Sequence, residues 1–451
     1  MKARRVTRRR FLQGAAAAAA LPGLSALRPF HPSVARAAEP APLRIGMVGG
    51  ITGAMASWAQ AGVINYKICT EEVNRTGGIK SMGGAKLEFF YADCESDPKK
   101  MATEAEKMLE LKKPHVILTA GGSALTKAAL PVILRYKVAL VSNEYSDELF
   151  TMNNPFYFGP MPKVSVNAKT IADAFIRIGK EKNQPVKKVA VLCQDGSFGE
   201  MASDAFGKYF PSQGVTVAAN QVYPTGKVAD FSDTISKFKA LNADALLCST
   251  TPYEAALIVR AMKAVNWSPL GFAFSCSCID TADYVNLGKD GDFGFGVPVF
   301  SIEDVGDRIK GALPFLKGFY SKVTSEADRK LCSENLVLQR TVSFGIAFHA
   351  MEKAKSYDPV AIRDAIAKLD LKTGDRYIYW PDGVKFDDVG YNIRAQAIGG
   401  QYQGLKLKIM FPQSLVGPST QPVWPMPKWT ERAAVDTGGS KLAACQCGAN
   451  L

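Results

Sequence analysis

Histidine is nearly missing from this sequence. Its 451 residues hold three, at His31, His115 and His349. His115 opens the apolar run "HVILTA" and His349 sits within "FGIAFHA", so both read as structural groups. The patterns H-E-x-x-H and G-x-S-x-G are absent, as is a phosphate-binding loop. The glycines at 49–53 fall short of G-x-G-x-x-G, which leaves a dinucleotide site weakly supported. No catalytic set, metal or cofactor is expected, and the residues favour binding over catalysis. Beyond residue 37 no apolar run reaches the ~20 residues of a membrane-spanning helix, so that part is expected to be soluble. No basic cluster interleaved with aromatics survives there either, which argues against nucleic acid as a partner.

What is present begins with a basic run, Lys2 to Arg10, an Ala-rich segment from Phe11 to Leu27, and Ala35-Arg36-Ala37. That order is the order of an export signal, with small residues two apart at the cleavage site. Thr7-Arg8-Arg9-Arg10-Phe11-Leu12-Gln13 resembles a twin-arginine signal, and a cut after Ala37 is expected, with export to the periplasm. Most of the formal charge of +13 belongs to this leader, whose eight Lys and Arg face no acid. The remaining chain carries about +5 by the same count, and its length argues for two lobes. Cysteines number nine. Those inside "VAVLCQ" and "DALLCS" read as small core residues. Cys276-Ser277-Cys278 and Cys445-Gln446-Cys447 lack a nearby His and zinc-like spacing.

Past the leader, short β-rich runs alternate with helical patterns. Strands are expected at 43–49, 86–92, 115–120 and 138–142, then again at 188–194, 215–223, 244–249 and 271–276. Helices fall between them, with Asp97 as N-cap and Pro98 in the first turn of one. Further helical patterns lie near 306–323, 334–353 and 358–368. Val360, Ile362, Ile366 and Leu369 fall on one side of the last. Continuously apolar strands alternating with helices argue for parallel sheets covered on both faces. Two such series give an α/β fold of two doubly wound lobes. From Phe411 onward, Pro and Ser enrichment reads as an extended strap over the surface, followed by a loose tail.

Ligands of open α/β sheets bind beyond the carboxyl ends of the strands. After the first strand comes a flexible loop ending in Trp58. After the third come Gly121, Gly122 and Ser123 at a helix start, where free N–H groups suit a carboxylate. Ser123 is equally an ordinary N-cap or a hydroxyl turned to a ligand. After the fourth come Glu144, Tyr145 and Ser146.

The pieces "LRIGMVGGITGAMASWAQAG", "EEVNRTGGI", "YADCESDP", "VILTAGGSALTKAALP", "LVSNEYSDEL", "DGSFGE", "YPTGKVADFSDTISKFKALNADALL" and "FDDVGYN" occur in one order over residues 43–411. In that order they resemble the periplasmic binding proteins of branched-chain amino acid (leucine/isoleucine/valine-type) ABC transporters. The resemblance implies a type I periplasmic-binding fold with a three-segment hinge, crossing near 159–163, 294–300 and 388–392. It implies one lobe from 38–161 and 294–389, a second from 162–293 and 390–411, and a strap and tail at 412–451. Its implied ligand-binding residues are Trp58, Gly122, Ser123, Glu144, Tyr145, Ser146, Thr251, Tyr253 and Cys276. Cys276 and Ser277 stand where amino-acid binders carry an acid for the ligand ammonium. Either Glu144 or Glu254 substitutes, or the ligand lacks an α-ammonium, since an unpaired buried ammonium costs several kcal/mol. The implied partners are a small-molecule ligand (an amino acid or related carboxylate or amide) and a membrane permease with its ATPase. A sensor component for a membrane receptor and an exported cofactor-dependent enzyme are the rival readings.

Overall fold

In the computed structural model, the described residues are 39–432 apart from 54, 276–278, 280–283 and 285. The leader, Cys276 and the tail beyond 432 therefore lie outside them. Fourteen strands and twelve helices are described.

The first sheet holds β1 (Leu43–Gly49), β2 (Leu87–Asp93), β3 (Val116–Ala120), β4 (Ala139–Ser142) and β5 (Tyr157–Phe158), in the order β2-β1-β3-β4-β5. All its pairings are parallel. Helices α1 (Ala56–Arg75), α2 (Pro98–Leu111) and α3 (Ser123–Tyr136) connect its strands. The sequence sets these boundaries locally. Asp97 caps α2, its carboxylate accepting from Lys99 N and Lys100 N, and Pro98 occupies the first turn, where its missing N–H costs nothing.

Side-chain alternation splits the sheet between two layers. Ile45, Met47, Val116 and Leu118 face a core shared with α1, whereas Val48, Ile117 and Leu140 face α2 and α3. Covered on both faces, β3 reads "VILTA" with every residue buried.

The second sheet repeats the plan. It holds β6 (Lys188–Gln194), β7 (Thr216–Tyr223), β8 (Ala245–Ser249), β9 (Gly271–Phe274) and β10 (Phe295–Gly296), in parallel order β7-β6-β8-β9-β10. Helices α4 (Val164–Glu181) and α5 (Gly196–Ser212) share one core with it, and α6 (Ser232–Ala240) and α7 (Pro252–Ala264) the other. The chain then runs through α8 (Ile302–Val305), α9 (Ala312–Tyr320), α10 (Glu326–Leu331), α11 (Glu334–Ala354) and α12 (Pro359–Ala367). A two-stranded ribbon of β11 (Asp370–Leu371) and β12 (Val384–Lys385) follows. The hairpin β13 (Gly399–Gln403) and β14 (Lys406–Phe411) joins the second sheet antiparallel at β10. Its turn residues, Gly404 and Leu405, have φ of 62° and 63°, as a two-residue type I′ hairpin requires.

Three stretches of chain link the parts of the molecule: 159–163 joins β5 to α4, 297–301 joins β10 to α8, and 386–398 joins β12 of the ribbon to β13. Two of them run side by side. Gly159 N donates to Gly390 O at 2.9 Å and Asn392 N to Gly159 O at 3.1 Å. Gly390 is required there, because its φ is +79° and a Cβ would strike the Tyr157 carbonyl.

Several details differ from the sequence reading. β10 lies in the second sheet, beside β9, where a boundary at 294 would assign it to the first lobe. Val360 is exposed, while Ile362, Ile366 and Leu369 are buried. The segment after 411 is more than a surface strap, since Leu415, Trp424, Met426 and Arg432 are buried.

Candidate functional site

Both sheets have the strand order 2-1-3-4-5, counting within each sheet. The order reverses between β1 and β3 in one and between β6 and β8 in the other. Loops leaving the carboxyl ends of strands diverge at such switch points and leave a crevice. A cavity of about 200 Å³ lies there, lined from the first sheet by Trp58, Gly121–Leu125 and Asn143–Tyr145, and from the second by Gln194–Phe198, Thr225, Thr250 and Thr251.

On the first-sheet side, Gly121 and Gly122 have φ of +119° and +120°, conformations that residues with a Cβ rarely adopt. Gly122 is the N-cap of α3, which has no side-chain cap. Ser123 is therefore not the cap; its Oγ accepts from Ser146 N at 3.4 Å. The first-turn N–H groups of Ser123 and Ala124 meet no acceptor among the described residues, as expected of a helix start. Glu144, 8 % exposed, accepts from Gly121 N at 3.2 Å. Tyr145 donates its hydroxyl to Gln339 Oε1 at 2.7 Å. The Trp58 indole Nε1 is buried with no acceptor among the described residues.

On the second-sheet side, Asp195 precedes α5 and accepts from Thr225 N at 3.0 Å and Thr225 Oγ1 at 2.6 Å. These bonds hold its carboxyl below the usual range. Thr251 caps α7. Glu254 is buried but already engaged, accepting from Gly226 N at 2.7 Å, Thr251 Oγ1 at 2.8 Å and Tyr223 O–H at 3.1 Å. Its carboxylate belongs to this internal network and does not line the cavity, so Glu254 is not available as a ligand's counter-ion there. Gln194 Oε1 is buried without a donor among the described residues.

The candidates from sequence thus divide. Trp58, Gly122, Ser123, Glu144, Tyr145 and Thr251 line one cavity. Ser146 is buried behind it, bonded to Ser123 and 3.1 Å from Met201 Sδ of α5. Tyr253 is 60 % exposed and does not line the cavity. Sequence reasoning expected α11 as a helix but missed that it closes the cavity with Leu336, Gln339 and Arg340. The available signal was one charge inside the apolar run "LVLQRTVSFGIAF".

Arg340 is 4 % exposed. With the Asn143 amide oriented to complete its bonds, Arg340 Nη1 donates to the Asn143 side-chain oxygen at 3.2 Å. Arg340 Nε has no acceptor, and no carboxylate stands within 4.0 Å of the guanidinium, among the described residues.

The histidines lie outside the cavity. His115 Nδ1 accepts from Arg44 N at 2.8 Å, and His349 Nε2 is 2.9 Å from Arg376 O. Burial lowers the pKa of both. Cys69, Cys94, Cys193, Cys248 and Cys332 are buried, and burial pushes the Cys69 thiol up to about 12. Among the described residues no group of His, Cys, Asp or Glu is arranged to hold a metal ion, and no helix is long and apolar enough to cross a membrane.

Two sheets of this order with a cavity at their facing switch points define the α/β class of type I periplasmic binding proteins. The chain belongs to the periplasmic binding protein family, whose sequence profile matches residues 42–383. It is 23 % identical over 393 residues to Leu/Ile/Val-binding protein homolog 7 of Brucella abortus (strain 2308), covering 83 % of this chain and 92 % of that one. It is 24 % identical over 394 residues to homolog 8 of Brucella suis biovar 1 (strain 1330), covering 85 % and 93 %. Among solved structures, the leucine binding protein LivK of Thermotoga maritima MSB8 matches with a TM-score of 0.68 at 18 % identity, over 83 % of this chain and 99 % of that one. LivJ of Streptococcus pneumoniae, a branched-chain amino acid transporter substrate binding protein in complex with isoleucine, matches with a TM-score of 0.68 at 18 % identity, over 82 % and 100 %. Family and neighbours are substrate-binding proteins, not enzymes.

Proposed function

We propose that the chain is a periplasmic solute-binding protein that delivers a small, carboxylate-bearing, amino-acid-like solute to an ABC importer by hinge closure. The observation that carries this is the cavity at the facing switch points, where Trp58 offers an apolar surface and the first turn of α3 offers unpaired N–H groups. Glu144 is the carboxylate suited to face a ligand ammonium, in place of the acid replaced by Cys276 and Ser277.

The lobes follow the sheets, with β10 assigned to the second. The three connecting stretches serve as the hinge. Because the walls come from both sheets, a solute touches both lobes at once only when they are closed, and so shifts the population toward the closed form. That form docks on a permease coupled to an ATPase, the partners that the family resemblance implies. The leader Met1–Ala37 takes the protein across the inner membrane by the twin-arginine route.

The test is a thermal-shift screen of the purified protein over amino acids, amides and aromatic acids. A solute at about 100 times its dissociation constant adds ~2.7 kcal/mol of stability. At least one carboxylate is expected to raise the melting temperature; a flat response across the panel sinks the reading.

A further inference from the structure

We propose that Arg340 reads the charge of the solute, its guanidinium taking an acid group of the ligand, so that the protein selects acids over their neutral amides. The inference deepens the solute-binding reading above and rests on it.

Arg340 lies within the first half of α11, a helix whose residues from Asn335 to Phe348 are all buried. A guanidinium placed there without a counter-ion is costly, because its charge has left water with nothing to offset it. Buried polar groups nearly always find partners, and an exception calls for an explanation. Arg340 has one side-chain acceptor, Asn143, and an unpaired Nε. The wall it forms is a wall of the cavity.

A second unpaired donor, the Nε1 of Trp58, belongs to a residue that lines the same cavity from the first sheet. Two orphaned donors on one space call for an oxygen-rich group. The planar fork of a guanidinium matches a carboxylate in particular. Glu144 does not neutralise Arg340 directly, because no ion pair within 4.0 Å joins them. It leaves room for a solute carrying negative charge toward α11 and, where present, positive charge toward Glu144. Gln194 Oε1, an unpaired acceptor on the second-sheet wall, is placed for a donor on the solute's other end. First-turn N–H groups alone would accept an amide oxygen nearly as well as a carboxylate. A full charge at Arg340 would not.

The test pairs each acid with its amide: leucine with leucinamide, isovalerate with isovaleramide, benzoate with benzamide. Binding is measured by calorimetry at pH 7 on the wild type, Arg340→Gln and Arg340→Lys. The wild type is expected to bind at least one acid about 100-fold more tightly than its amide. Arg340→Gln should cut that ratio below tenfold by weakening the acid far more than the amide. Arg340→Lys, which keeps the charge without the fork, should retain an intermediate ratio. It carries the test should the Gln variant fail to fold. A full acid-to-amide ratio in either variant overturns the proposal while leaving the solute-binding reading intact. A wild type that binds both members of a pair equally also overturns it alone. A wild type that binds none of the six overturns both.

Discussion

Trp424 should be a principal anchor of the second half of the molecule, although it belongs to a segment outside the family match. Its ring is 7 % exposed. It meets Phe175 of α4 edge-on at a centroid distance of 5.2 Å and Phe295 of β10 at 6.4 Å. Its Nε1 donates to Gln184 O at 3.0 Å. Truncating a buried Trp to Ala costs about 3–5 kcal/mol in all, the hydrogen bond lost by the Gln184 carbonyl being part of that cost. About 4 kcal/mol is the expected loss for Trp424→Ala. At about 2–4 °C per kcal/mol for a unit of 150–250 residues, the second lobe should melt roughly 8–16 °C lower.

A partner mutation sharpens the test. A Cβ at Gly271 of β9 would collide with Cζ3 of Trp424. Gly271→Ala alone should therefore overpack the site, at about 1–3 kcal/mol. With Trp424 already truncated, the added methyl has room, and its cost should fall close to zero. Urea unfolding of the four proteins, followed by far-ultraviolet circular dichroism, gives a coupling energy expected to be at least ~1 kcal/mol. Strict additivity, or a Trp424→Ala protein as stable as the wild type, refutes the reasoning.

Two further outcomes follow from the site and its surroundings. Trp58→Ala should weaken binding of the tightest acid in the panel at least tenfold, about 1.4 kcal/mol, with an unchanged far-ultraviolet spectrum; an unaltered affinity removes the indole from the ligand's surroundings. Stability should decline as pH falls through 6.5, the ordinary value from which burial depresses His115 and His349. The folded protein takes up these protons less readily than the unfolded chain, so stability is present above that pH and drains away below it. Denaturant midpoints at pH 7.5 and 5.5 check this, and a His115→Gln variant should flatten the dependence.

Much of the framework was legible because it is local. The Asp97-Pro98 cap, the apolar strands and the glycines at 121–122 each carry their reason within a few residues. The strand ends that feed the cavity followed from chain order and a general rule about parallel sheets. The hairpin β13–β14 was not legible: "GGQYQGLKLKIMF" begins with two glycines and alternates polar residues, and its place beside β10 is a tertiary fact. Ser123 illustrates a different limit. Its neighbour Gly122 takes the capping position through a backbone conformation that composition does not announce. Arg340 was invisible for a third reason. It comes from a helix some 200 residues beyond the other cavity residues of the first sheet, and only the chain's return brings it there.

That return has a consequence for the protein's birth. Asn65 of α1 donates to Val337 O at 3.1 Å and to Thr341 Oγ1 at 3.0 Å, both on α11. Strand β5 ends at Phe158 and α11 at Ala354, so the ribosome must add 196 residues between them. At ~5–20 residues per second, the side of α1 that packs against α11 stays uncovered for roughly 10–40 s in every nascent chain. Stalled chains ending near residue 300 are expected to be captured by a holding chaperone, and those long enough to bring the whole of α11 out of the ribosome to be released.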